Sequence, residues 1–83
     1  MRYRSRTDIV AQILEAANGG GGGATQAKIM YKAFLPYAQL KEYLTLMVEN
    51  HLLKYEQREQ REIHKTTEKG NRFLKLYKQF SII

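Results

Sequence analysis

The hydrophobic pattern of this chain changes period twice. Up to Glu49 the apolar residues recur at three- and four-residue steps, from Leu53 to Thr66 they alternate with polar ones, and from Thr67 the helical spacing returns. Side chains that recur about every 3.6 residues line one face of a helix, and side chains that alternate line one face of a strand. A chain with this order therefore places a short hairpin between a helical N-terminal part and a final helix. At 83 residues it is one small domain, 1–83. That is near the size at which a single core is only marginally stabilising, so packing against a second copy helps.

The first helix is expected from Thr7 or Asp8 to Ala17, with Val10, Ile13, Leu14 and Ala17 on one side. Asp8 puts a carboxylate in the first turn, where the helix dipole favours it. Asn18 and Gly19 end it, because both tolerate the left-handed conformation of a C-terminal cap. A second helix follows from about Thr25, its cap, to Ala33, with Ile29, Met30 and Ala33 inward and Lys28 and Lys32 one turn apart on the other side. The chain breaks at Phe34-Leu35 and restarts at Pro36, whose fixed φ suits the first helical position. Leu40, Leu44, Met47 and Val48 form the buried stripe of the third helix; Ala38, Lys41, Glu42, Thr45 and Glu49 lie opposite, with Gln39 flanking them. Leu52 to Gln57 and Arg61 to Thr66 read as a hairpin around "REQ". Its turn lacks Gly, Asn and Pro, which predicts a poorly fixed tip. The last helix, 67–82, starts at a Thr66/Thr67 cap. It carries Phe73, Leu74, Tyr77 and Phe80 on one side and Lys69, Arg72, Lys75 and Lys78 on the others. The fold class is mainly α with a small β-hairpin: three helices, a two-stranded wing and a C-terminal helix.

Five consecutive glycines stand in "NGGGGGATQAKI", from Asn18 to Ile29. A phosphate-binding loop needs a Gly-Lys pair after a strand, and neither is present. Gly19, Gly21 and Ala24 match the spacing of a dinucleotide loop, as any glycine run does, but the element before them is a helix. The run reads as a loose connection between two helices that holds no ligand, since loop-closure entropy grows only slowly with length.

Fourteen Lys+Arg against eight Asp+Glu leave a formal charge of +6, which favours a polyanionic partner. The absence of cysteine removes a disulfide framework, a thiolate nucleophile and a zinc ribbon, and suits a reducing interior. No apolar run has the roughly 18–20 residues that span a bilayer, and "MRYRSR" is not followed by the apolar core of a signal peptide. A cytoplasmic, nucleoid-associated protein is expected. His51 and His64 have no metal-ligand spacing, and the acids are scattered among bases rather than paired. No catalytic residue, metal or cofactor is expected; the chain does not read as an enzyme.

The stretches "RTDIVAQILEAANGG", "ATQAKIMYKAFLPYAQLKEYL" and "KTTEKGNRFLKLY" resemble the small archaeal winged helix-turn-helix DNA-binding family, which includes basic chromatin-associated proteins and predicted transcriptional regulators. The resemblance runs from about Arg4 to Tyr77. It implies a DNA-binding fold that pairs through its C-terminal helix, in some members as an antiparallel coiled coil. The chain departs from that pattern in places. Pro36 stands where the family has a capping Ser, and His51 stands where it has a Gly, so His51 must adopt a left-handed backbone or the corner differs. His64 replaces an aromatic, which weakens the case for a packed ring on that strand. The glycine run is longer than usual and the last helix shorter.

In this architecture the third helix enters the major groove and the wing follows the backbone or the minor groove. Tyr37, Gln39, Lys41 and Thr45 become the candidate contacts: Gln39 toward an adenine edge, Lys41 toward a guanine or a phosphate, Tyr37 and Thr45 toward phosphates. Tyr37 equally fits the core, and Glu42 on the same helix opposes a non-specific grip. Lys28 and Lys32, the wing residues Arg58, Arg61 and Lys65, and Arg2, Arg4 and Arg6 of the N-terminal arm are the further phosphate candidates. Salt bridges to Glu56, Glu59 and Glu62 are the plain alternative for the wing. Phe73, Leu74, Tyr77, Phe80, Ile82 and Ile83 are the expected homodimer interface. The expected function is double-stranded DNA binding, as a transcriptional regulator or chromatin-associated protein. The alternative is a winged-helix protein-interaction or assembly module that does not bind DNA. RNA is less suited, since A-form RNA hides its major groove and no stacking platform is evident.

Overall fold

A computed structural model describes residues 4–19 and 22–81, as helices α1 (Arg6–Asn18), α2 (Gln26–Ala33), α3 (Tyr37–Glu49) and α4 (Glu68–Ser81) and strands β1 (Ala24–Thr25), β2 (Leu53–Arg58) and β3 (Arg61–Thr66). The helix starts follow the hydroxyl side chains. Ser5 Oγ accepts from the Asp8 N–H at 3.1 Å while the Asp8 carboxylate accepts from the Ser5 N–H at 3.0 Å, a reciprocal box that moves the start of α1 forward to Arg6. Thr25 and Thr67 cap α2 and α4 by accepting from the N–H of Lys28 and of Gly70. Pro36 makes no side-chain cap and precedes the first helical residue rather than filling that position.

The buried stripes meet as their spacing predicts. Ile13, Leu14, Ile29, Leu40 and Met47 are within 1 % of full burial, with Ala17, Ala33, Leu44 and Leu53 beside them. α4 closes this core along α1: Asn18 Nδ2 donates to Asn71 at 2.7 Å, Lys78 pairs with Glu15 at 2.8 Å, and the Tyr77 hydroxyl donates to Asp8. Leu74, expected at a dimer interface, is instead 5 % exposed inside the chain's own core. Phe73 and Tyr77 are half-buried against the same core, because the first task of an amphipathic helix on so small a domain is to cover it.

The sheet has three antiparallel strands in the order β1-β3-β2, not two. Ala24 and Thr25 pair with His64 and Ile63, and β2 pairs with β3 from Leu53↔Thr66 to Arg58↔Arg61. The end of the glycine run is therefore structured rather than loose. Gly23 has φ +91°, and a Cβ there would lie 2.5 Å from Ile63 Cγ2 and 2.7 Å from Lys65 Cγ. The hairpin turn is a tight one despite its composition: Glu59 and Gln60 take φ 47° and 68°, the two positive angles of a type I′ turn. His51 adopts φ 61° at the corner after α3.

A packed ring does occupy strand β3. His64 is 7 % exposed, meets the Tyr55 ring edge-on at 5.6 Å between centroids, and leaves its buried Nδ1 without a hydrogen-bond partner among the described residues. Burial pushes the imidazole pKa down, with Glu62 opposing it weakly. The unfolded chain then takes up the proton first, so stability is full above the ordinary histidine pKa of about 6.5 and falls as pH drops through it. The urea midpoint is expected to fall between about pH 7.5 and about pH 5.5, and to fall less in His64→Phe. Equal slopes in the two proteins would show that another group is responsible.

Candidate nucleic-acid interface

The segment "TTEKG" is explained by packing alone. Thr66 Oγ1 donates to the Leu14 carbonyl at 2.7 Å, and the Thr67 hydroxyl reaches the carbonyls of His51 and Leu52. Lys69 Nζ donates to the Asn50 carbonyl at 2.9 Å, and Gly70 lies against the Leu52 carbonyl with no room for a side chain. These contacts hold the corner between α3 and β2, and so set the hairpin beside the third helix.

Most of the candidate contacts fall on two surfaces. On α2 and α3, Lys28, Lys32, Tyr37, Gln39, Lys41 and Thr45 are all exposed, Tyr37 by 56 %. Tyr37 is thus not core. Lys41 Nζ sits 5.9 Å from its ring centroid, and Thr45 Oγ1 donates back to the Lys41 carbonyl at 3.0 Å. Tyr37, Ala38, Lys41, Glu42, Thr45 and Leu46 line a shallow groove that Glu49 closes. With one lysine against two carboxylates this helix face is slightly acidic.

The outer face of the hairpin is a cationic surface. Directly opposed residues of antiparallel strands share a face, so the register puts Lys54 with Lys65 and Arg58 with Arg61 on the side away from Leu53 and His64. Glu56 lies between them and pairs with Arg58 and, at 3.8 Å, with Lys65. Arg58 beside it holds the Glu56 carboxyl below the usual range, with Lys65 adding to the effect. Arg61 has no carboxylate partner among the described residues. Lys54 was not a sequence candidate, although alternation from Lys65 across a two-residue turn would have found it.

The N-terminal arm divides. Arg4, expected on phosphate, is turned inward: its guanidinium donates to the Ala33 carbonyl at 2.6 Å, the Phe34 carbonyl at 3.1 Å and the Gln12 side chain. It satisfies the last carbonyls of α2, where the dipole favours a cation. Arg6 is exposed on the first turn of α1. Arg2, Ile82 and Ile83 lie outside the described residues. Among the described residues no group of three His, Cys, Asp or Glu could hold a metal, and no helix is long and apolar enough to cross a membrane.

The profile of the winged helix-turn-helix family matches residues 3–83, nearly the whole chain. The chain belongs to that family. Winged helix-turn-helix is a DNA-binding fold rather than an enzyme fold, and its three helices, wing and closing helix are those described above. Among solved structures, the DNA-binding protein Sso10a-2 from Sulfolobus solfataricus is similar with TM-score 0.81 and 23 % identity, over 93 % of this chain and 78 % of that one. A MarR-family transcriptional regulator from Rhodococcus sp. RHA1 is similar with TM-score 0.76 and 19 % identity, over 93 % of this chain and 54 % of that one. A predicted DNA-binding transcriptional regulator from E. coli follows at TM-score 0.70 and 17 % identity, over 92 % and 78 %. At these identities the likeness is one of winged-helix fold. No curated protein sequence matches the chain.

Proposed function

We propose that this winged helix binds double-stranded DNA in the cytoplasm, as a transcriptional regulator or a chromatin-associated protein, with α3 in the major groove and the hairpin on the phosphate backbone. The observation that supports it best is the gathering of Lys54, Arg58, Arg61 and Lys65 on one side of the hairpin. Arg58 and Arg61 stand directly opposite each other, and Arg61 has no carboxylate partner among the described residues, so the pair presents two guanidiniums to one phosphate. Gln39 and Lys41 on α3 supply base contacts, Tyr37, Thr45, Lys28, Lys32 and Arg6 phosphate contacts.

Anisotropy titration of random duplex DNA over a salt series tests this. Arg58→Ala with Arg61→Ala is expected to weaken binding to every sequence by about ten- to a hundredfold and to flatten the slope of log K against log salt by up to about two. Gln39→Ala is expected to change sequence preference and leave the slope alone. Undetectable binding at low salt would instead favour an interaction module. The exposed Leu46 and the carboxylates Glu42 and Glu49 on α3 are the features that suit that second reading.

Pairing through α4 is part of the proposal. Phe80 is 72 % exposed and Leu76, one turn before it, 55 %, so the self-associating stripe is Phe73, Leu76 and Phe80 rather than one that includes Leu74. Sedimentation is expected to show a dimer that Leu76→Glu with Phe80→Glu converts to monomer; a monomeric parent protein removes this part.

A further inference from the structure

Glu56 occupies the middle of the cationic sheet face and shares its Oε2 between two of the four cations, Arg58 and Lys65. Gly22 and Gly23 lie on the same side. Gly23 lies over Ile63 and Lys65, and among the described residues a Cβ at Gly22 would meet only Arg58 Nη1, at 3.8 Å. A longer side chain at position 22 therefore grows beside the guanidinium, and glycine leaves it uncovered.

We infer that Glu56 is an internal competitor for the DNA phosphates on this face, and that Gly22 keeps Arg58 open to them. A phosphate that takes Arg58 must draw it from Glu56 rather than from water, and it then faces the carboxylate left behind. Both effects weaken the grip, so one side chain sets how tightly the face holds a backbone. This rests on the DNA-binding reading above and deepens it, placing the phosphate site on the outer sheet face between the hairpin and the segment before β1.

The test is anisotropy titration of random duplex DNA at several salt concentrations, with circular dichroism melts of each variant. Glu56→Gln is expected to bind about fivefold tighter or more, with a salt slope steeper by about one. Glu62→Gln removes the same charge from the other face of the hairpin, where Glu62 accepts from Tyr55, and is expected to change affinity less than about twofold. Gly22→Gln, which covers the guanidinium without adding charge, is expected to bind about threefold more weakly, and Gly22→Glu, of the same bulk and a second competing carboxylate, about tenfold more weakly. Equal gains for Glu56→Gln and Glu62→Gln, or no gain for Glu56→Gln, overturn the inference while DNA binding stands. Should Gly22→Glu melt early, the two glutamate variants decide alone. A parent protein that binds no duplex DNA at any salt refutes the functional reading itself.

Discussion

Gly70→Ala is expected to lower the melting temperature by about 10–25 °C, the product of a cost of about 2–4 kcal/mol and the shift per kcal/mol of a domain this size. The sign is opposite to the local one, since alanine inside a helix is favoured over glycine by about 1 kcal/mol. A Cβ at position 70 would run into the Leu52 carbonyl oxygen, with Thr66 Cγ2 at 2.8 Å and Leu14 Cδ2 at 3.0 Å. None of the three can retreat easily. The Leu52 carbonyl accepts from the Thr67 N–H at 3.1 Å, Thr66 is tied to the Leu14 carbonyl, and Leu14 is fully buried. A melt of Gly70→Ala at or above that of the parent would show that α4 can slide away from this corner.

The second large effect lies in the glycine run and separates neighbouring residues. Gly23→Ala is expected to cost about 2–4 kcal/mol, because it combines a left-handed backbone with crowding, while Gly22→Ala is expected to change stability by less than about 0.5 kcal/mol. At Gly23 the added carbon would press on Ile63 Cγ2 and Lys65 Cγ, and on the His64 carbonyl oxygen at 3.0 Å, whereas at Gly22 the nearest atom is the end of the flexible Arg58 side chain. Urea denaturation of the two variants distinguishes them. Similar midpoints would mean that β1 can detach from β3 without loss, and that the run is as loose as its composition suggests.

Where the partners of a residue lie within a turn or two, its place was legible. The stripe of Leu40, Leu44 and Met47 and the caps at Thr25 and Thr67 depend on spacing within one element, and all are found there; α1 does end at Asn18, but Gly19 closes it in an extended conformation (φ −72°, ψ 122°), not the left-handed one expected. The hairpin followed from alternation for the same reason, but not its register: "REQ" read as a three-residue turn, whereas Arg58 pairs with Arg61 and only Glu59 and Gln60 form the turn, which shifts β2 by one residue to Leu53–Arg58. Resemblance to winged helix-turn-helix proteins added the assembly of these parts, which periodicity alone does not supply.

What the chain alone did not show depends on residues far apart in sequence. Two residues, Ala24 and Thr25, are too few to display a period, and they become a strand only because Ile63 and His64 lie beside them. Arg4 reads as part of a basic arm until α1 and α2 pack and bring the open carbonyls of Ala33 and Phe34 within its reach. Leu74 and Phe80 belong to one apolar pattern, yet only the packing of α4 on α1 puts the first in the core and leaves the second in water. The sequence alone thus determined the helices, the hairpin and their order, since local backbone preference and side-chain spacing suffice for those. The tertiary structure decided which charges remain available and which apolar side chains remain uncovered, because burial and ion pairing are set by neighbours that only folding brings together.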